Sequence, residues 1–172
     1  MMRYDYKTIY EKNAAFFHAR PRAKRALLLS NHLFTWLFFA TYIGFCAWAV
    51  FSGVYVKDLV YIFALPALCL LIVGVLRLAV RRPRPYSEQG ANITPILKKE
   101  NNLDKSFPSR HVACAFVIAC VILSHIVWAG IPLCMCGCAL GYIRFALGVH
   151  YPTDIFGGAG IGLACGLAAF FL

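Results

Sequence analysis

Five apolar stretches, each close to the length of a bilayer-crossing helix, occupy most of this chain and leave few folds open to it. They run over about 33–51, 59–76, 111–128, 131–147 and 153–172. A helix needs about 20 residues to span hydrocarbon, within a tolerated range of about 17–25. No water is available there to satisfy backbone polar groups, so the spans must be helical. Composition agrees: 61% of residues are hydrophobic and 14% charged, against about 45–50% and about 25% in soluble domains. The predicted fold is all-α, a polytopic transmembrane helical bundle of five spans preceded by an N-terminal interfacial helix. With 172 residues there is room for one transmembrane domain, over 33–172, behind a basic segment at 1–32.

Details inside the spans sharpen this reading. Pro66 predicts a kink in the second stretch. Ala129-Gly130 is so short a connection that it predicts a tight helical hairpin. Gly158-x3-Gly162-x3-Gly166 and Gly137-x3-Gly141 place small residues where helix backbones can approach closely in lipid. By contrast, 86–107 is a long polar loop without helical periodicity, either a functional lid or a solvated connector.

The formal net charge is +10, from 17 Lys and Arg against 7 Asp and Glu. These basic residues are segregated between apolar spans, so anionic headgroups and phosphates are better partners than nucleic acid. Residues 3–25 carry seven of them, interspersed with Tyr4, Tyr6, Tyr10, Phe16 and Phe17, which predicts an amphipathic helix on the membrane surface. That opening is too polar for a signal peptide. All eight cysteines lie in apolar stretches, and Cys134-x-Cys136-x-Cys138 has no histidine or carboxylate nearby to complete a metal site. They read as buried thiols, and no metal or cofactor is expected.

Nearly all residues able to do chemistry fall in three polar islands. These are Arg77-Leu-Ala-Val-Arg-Arg-Pro-Arg84-Pro85, Pro108-Ser109-Arg110-His111, and Arg144-x5-His150-x3-Asp154. Threading the spans back and forth brings all three to one membrane face. An arginine fork binds two phosphate oxygens and stays charged, so Arg77, Arg84 and Arg144 are candidate phosphate ligands. Arg81 and Arg82 fit side chains reaching out to headgroups. Pro108 suits the first residue of a helix. Ser109, Arg110 and His111 would then occupy its opening turn, where free N–H groups favour an anion. His111 would be placed to protonate a departing oxygen. Pro152 repeats the device, setting His150 just before a helix and Asp154 in its first turn. A carboxylate there can accept the imidazole Nδ1–H and free Nε2 to attack phosphorus. His18, His32 and His125 have no such company and read as interfacial or core histidines.

In order and spacing these islands resemble the signature of the type 2 phosphatidic acid phosphatase family. That signature is Lys-x6-Arg-Pro, then Pro-Ser-Gly-His, then Ser-Arg-x5-His-x3-Asp, and the match covers Arg77 to Asp154. Three positions depart from it: Arg77 stands for lysine, Arg110 for glycine, and Ile143 for the serine before Arg144. The resemblance implies a core of about six helices, the first shortened here to the segment before Leu33. It implies a metal-independent, two-step reaction in which His150 forms a phosphohistidine, His111 protonates the leaving group and Asp154 holds His150. Arg77, Arg84, Ser109, Arg110 and Arg144 would bind the phosphate.

The function expected is therefore an integral membrane lipid phosphatase acting on undecaprenyl diphosphate or a phosphatidate-type lipid. No residue separates these substrates, because the lipid tail meets only lipid and apolar helix. A lipid phosphotransferase would use the same intermediate with a different acceptor. A vanadate-dependent haloperoxidase shares the oxyanion cradle, but such proteins are soluble and much larger. A non-catalytic lipid-binding protein would need the arginines without the His111, His150 and Asp154 set. Among the basic residues only Lys57 lies opposite the islands, which points the site face toward the cytoplasm.

Overall fold

The computed structural model describes residues 2–97 and 103–172, and the side chains from Tyr6 onward. Residues 98–102 of the expected loop, with Lys98 and Lys99, lie outside the described residues, as do the side chains of Arg3 and Tyr4. The described chain is all-helical: α1 (Met2–His18), α2 (Pro21–Phe51), α3 (Val56–Val80), α4 (Arg110–His125), α5 (Val127–Ala146) and α6 (Pro152–Leu167), followed by a 3-10 turn at Ala168–Phe170.

Four helices are long and apolar enough to cross a membrane: Pro21–Phe51, Val56–Val80, Val127–Ala146 and Pro152–Phe170. The fifth expected span, α4, has 16 residues and is about 24 Å long at 1.5 Å per residue, short of a hydrocarbon core of about 30 Å. It is instead the centre of the bundle. Val112, Ala113 and every residue from Ala115 to Ile122 are buried, against α6, α5, α3 and α2. A helix that touches protein on nearly every side need not match the bilayer itself. The outward-facing residues of the longer helices, such as Leu33, Trp36, Leu71 and Phe156, are apolar and exposed, which suits a lipid environment.

Boundaries depart from the sequence reading at several points. The first span begins at Pro21, with proline in the first turn, because the inward side of the helix continues upstream of Leu33, with Leu27 and the polar Asn31 both buried. The hairpin between α4 and α5 turns at Ile126 rather than at Ala129-Gly130. Gly130 lies inside α5, and a Cβ there would fall 2.3 Å from the Leu123 Cα. It serves close packing and not the turn. Pro66 sits buried within a continuous α3. All eight cysteines are free thiols, but burial is incomplete: Cys138 is exposed on the outer side of α5.

The glycine stripe of α6 packs as its spacing predicts. Added Cβ atoms would lie 2.5 Å from the Ser109 carbonyl oxygen at Gly158 and 2.4 Å from that of Ala113 at Gly162. α6 thus rides directly on the backbone of α4. This contact sets the register between the second and third islands.

The segment between α3 and α4 is not a free connector. Arg84 N–H donates to the Leu103 carbonyl at 2.8 Å, Ser106 N–H to Arg82 at 3.0 Å, and Ile96 N–H to Leu147 at 3.1 Å. Tyr86, Ile93 and Ile96 are buried with Leu147 and Val149 in a second apolar cluster, which also takes Tyr6, Tyr10 and Ala14 of α1.

Candidate active site

The C-terminal ends of α3 and α5 and the N-terminal ends of α4 and α6 lie together, and the three polar islands occupy them. Arg77 is in the last turn of α3 and donates from Nη1 to the Pro108 carbonyl at 3.3 Å. Arg84 follows in the loop, and Arg144 closes α5, donating from Nη1 to Asn31 Oδ1 of α2 at 3.1 Å. The three arginines are only 7%, 2% and 2% exposed. Guanidinium forks withdrawn from water in this way are suited to binding an anion.

Ser109 is the N-cap residue of α4, so the helix starts two residues beyond Pro108 and not at the proline itself. The Ser109 hydroxyl is fully buried and has no hydrogen-bond partner among the described residues. Its backbone N–H is occupied, donating to the Asp154 carbonyl at 2.9 Å. His111, in the first turn of α4, interacts electrostatically with Arg144, His150, Arg110 and Arg84. The two histidines therefore share one neighbourhood. Arg110 is different: it is exposed and stands outside the buried arginines.

The third island is built as the sequence predicts around α6, with Tyr151 as N-cap, Pro152 in the first turn and Asp154 just after it. Asp154 is fully buried, and its Oδ2 accepts Tyr151 N–H at 2.9 Å and the Ser106 hydroxyl at 2.5 Å. His150 Nδ1 lies 3.7 Å from the same oxygen, an ion-pair separation longer than a hydrogen bond. Burial pushes the His150 imidazole down to about 4, with Arg144 and Arg84 adding to the shift and Asp154 opposing it. At neutral pH the ring is therefore uncharged and has a lone pair to offer.

The fourth contact to Asp154 corrects the sequence reading. Arg82, expected to reach out to headgroups, turns inward and donates from Nη1 to Asp154 Oδ1 at 2.7 Å and to Thr153 Oγ1 at 2.6 Å. Its guanidinium also lies 4.4 Å from the centre of the Tyr151 ring. A buried carboxylate outcompetes headgroups because it has no water to lose on pairing. Arg81 behaves as expected, exposed and capping its own helix end through the Leu78 carbonyl.

Ser106 and Asn31 were also missing from the sequence reading, and α1, expected as a helix on the membrane surface, packs one face against the protein. Tyr6 and Tyr10 of α1 face inward. The Tyr6 hydroxyl lies 3.5 Å from the His150 carbonyl, and its ring is 4.7 Å from that of Tyr151. Tyr10 donates to the Thr94 carbonyl at 3.0 Å. Gly148, at φ +76, lets the Tyr10 ring approach: a Cβ there would fall 2.6 Å from it. The spacing of Tyr6, Tyr10 and Ala14 at i, i+4, i+8 was the available signal of a face turned toward protein.

From His111 a groove of about 350 Å³ runs down between α2, α3 and α4, walled by Phe38, Phe39, Leu70 and Ile118. Arg110 and His111 are its charged or ionisable end. A second cavity of about 340 Å³, between α4, α5 and α6, is lined by Val112, Phe116 and Phe156.

Known proteins share this fold. A solved phosphatidylglycerolphosphate phosphatase of PAP2 type from Bacillus subtilis superposes with a TM-score of 0.75 at 21% identity, over 98% of this chain and 84% of that one. LpxE of Aquifex aeolicus gives 0.63 at 26% identity, over 94% of both chains. In sequence, the undecaprenyl-diphosphatase BcrC of Bacillus subtilis is 34% identical over 67 residues, 39% of this chain and 35% of that one. The chain spans about a third of the length of the curated relatives it matches. Its apolar helices and these membrane neighbours make it a multi-pass membrane protein. The PAP2 superfamily model matches residues 56–172, from the start of α3 through all three islands, and the chain belongs to that superfamily.

Proposed function

We propose that the protein is a lipid phosphate phosphatase that works through a phosphohistidine. The observation that carries this reading is the set of buried Arg77, Arg84, Arg144, Ser109 and His150 at the helix ends, with His111 of the same neighbourhood lining an apolar groove. The arginines and the Ser109 hydroxyl bind the phosphoryl oxygens and neutralise charge as the transition state forms. Arg110, exposed at the end of the groove, adds a further cation on the His111 side. His150 Nε2, neutral at physiological pH, attacks phosphorus, while His111, pushed down to about 3 by burial and the surrounding cations, takes up a proton as the phosphate anion binds beside it and gives that proton to the leaving oxygen. Asp154 holds the His150 ring and stabilises its positive charge once phosphorylated. Water then attacks the phosphohistidine and releases inorganic phosphate. These steps need no metal ion.

The lipid enters from the membrane, its tail along the apolar groove. The name of BcrC favours undecaprenyl diphosphate, and a phosphatidate-type lipid is the other substrate class that fits. The site faces the cytoplasm in this proposal, from the seven basic residues between positions 3 and 25. Labelling of a cysteine introduced in the α3–α4 segment from outside intact cells would reverse that assignment. The direct assay is phosphate release by detergent-solubilised protein with EDTA present, compared with His150→Ala. Activity in the His150→Ala variant, or none on any lipid phosphate or diphosphate, refutes the proposal.

A further inference from the structure

Arg110 replaces the glycine of the family signature, and its position differs from that of the other arginines of the islands. Arg77, Arg84 and Arg144 are buried, with Arg84 and Arg144 acting on His150 and Arg77 bonded to the Pro108 carbonyl, whereas Arg110 is exposed and lines the α2–α3–α4 groove beside His111. In-line transfer puts the nucleophile and the leaving oxygen on opposite sides of phosphorus. With His150 attacking from the buried side and His111 protonating, the leaving group lies toward the groove. Arg110 is a cation on that side.

What such a cation can bind depends on the substrate. A phosphomonoester departs as a lipid alcohol, which offers a guanidinium no charge. A lipid diphosphate departs as a lipid monophosphate, whose oxygens match the arginine fork. We infer that Arg110 holds the leaving phosphate and makes lipid diphosphates the preferred substrate class of this protein. The inference rests on the phosphatase reading above. In the reaction, the bond from Nε2 to the terminal phosphorus forms as the bond from that phosphorus to the bridging oxygen breaks. The electron pair stays on the bridging oxygen, which takes the His111 proton and leaves as lipid monophosphate. Water then cleaves the phosphohistidine to orthophosphate, returning a proton to His111.

The test compares kcat/KM for a polyprenyl diphosphate and a polyprenyl monophosphate of equal chain length in the same detergent micelles. Wild type, Arg110→Gly and Arg110→Lys are measured, with thermal unfolding as a check on folding. The wild type should prefer the diphosphate. Arg110→Gly should reduce the diphosphate-to-monophosphate ratio on the order of ten- to a hundredfold, the range of a charged hydrogen bond, and Arg110→Lys should restore part of it. Equal losses on both substrates, or an unchanged ratio, overturn the inference while leaving the phosphatase reading standing. No phosphate release from either substrate by the wild type overturns the inference, and none from a phosphatidate as well ends the phosphatase reading.

Discussion

Replacing Ser106 by alanine removes one hydroxyl from a buried carboxylate and leaves the phosphate-binding residues untouched. The Ser106 hydroxyl donates to Asp154 Oδ2 at 2.5 Å, and neither group is solvent-exposed. Hydrogen bonds to charged groups contribute about 1.5–3 kcal/mol. Asp154 keeps Tyr151 N–H at 2.9 Å and Arg82 at 2.7 Å, so the low end, about 1.5 kcal/mol, is the expected loss. The released oxygen is the one facing His150 Nδ1 at 3.7 Å. If that carboxylate orients the imidazole, loosening it weakens stabilisation that matters only as the ring becomes charged. A loss of about 1.4 kcal/mol there is tenfold in rate. We therefore expect Ser106→Ala to lower kcat about tenfold with KM nearly unchanged, and Ser106→Thr to recover most of it. The assay is steady-state phosphate release in detergent, with a thermal melt on the same samples. Wild-type kcat in a variant that melts lower would mean that the Ser106 contact supports the fold alone, and the coupling of Asp154 to chemistry would be refuted.

Acid pH should be tolerated unusually well, because burial holds His150 near 4. The neutral ring is the attacking form, so the acid limb of kcat/KM falls well below the ordinary histidine value of about 6.5; a midpoint at or above that value counts against the assignment. The same shift means that the unfolded chain takes up a proton first, so this residue's contribution to stability is full above about 6.5 and declines as pH falls toward 4. Gly162→Ala should destabilise by about 1–3 kcal/mol through overpacking, because the new Cβ meets the Ala113 carbonyl at 2.4 Å; an unchanged melting temperature would contradict the close α4–α6 approach. Tyr10→Ala should cost about 3 kcal/mol, since the ring is 1% exposed against the Gly148 turn. Proteolysis within residues 86–97 should accelerate with it, and unchanged protection would show that α1 does not secure that segment.

The parts of the fold and site that could be read from the sequence are those encoded by short spacings. Apolar runs of helix length marked the long spans, and the i, i+4 glycines marked the α6 face against α4. The three motifs, each confined to a few residues, together with the parity of the spans, placed the islands on one end. What escaped depends on contacts across long separations. Ser106 and Asp154 are 48 residues apart, Arg82 and Asp154 72, and Asn31 and Arg144 113. Nothing in the local pattern of Arg81-Arg82 says that one side chain turns out and its neighbour turns in; the buried carboxylate decides it. Asn31 was invisible for the same reason, a polar residue within a helix whose partner arrives from α5. The turn at Ile126 was misplaced because Gly130, an obvious turn residue, is used against Leu123 instead.

The bond from Ser109 N–H to the Asp154 carbonyl joins the second and third islands backbone to backbone, and the α6 glycines weld the helices below it. The two imidazoles are consequently mounted on one rigid block. A lipid tail lying in the groove therefore meets one wall, α4, that belongs to this block and two, α2 and α3, that do not.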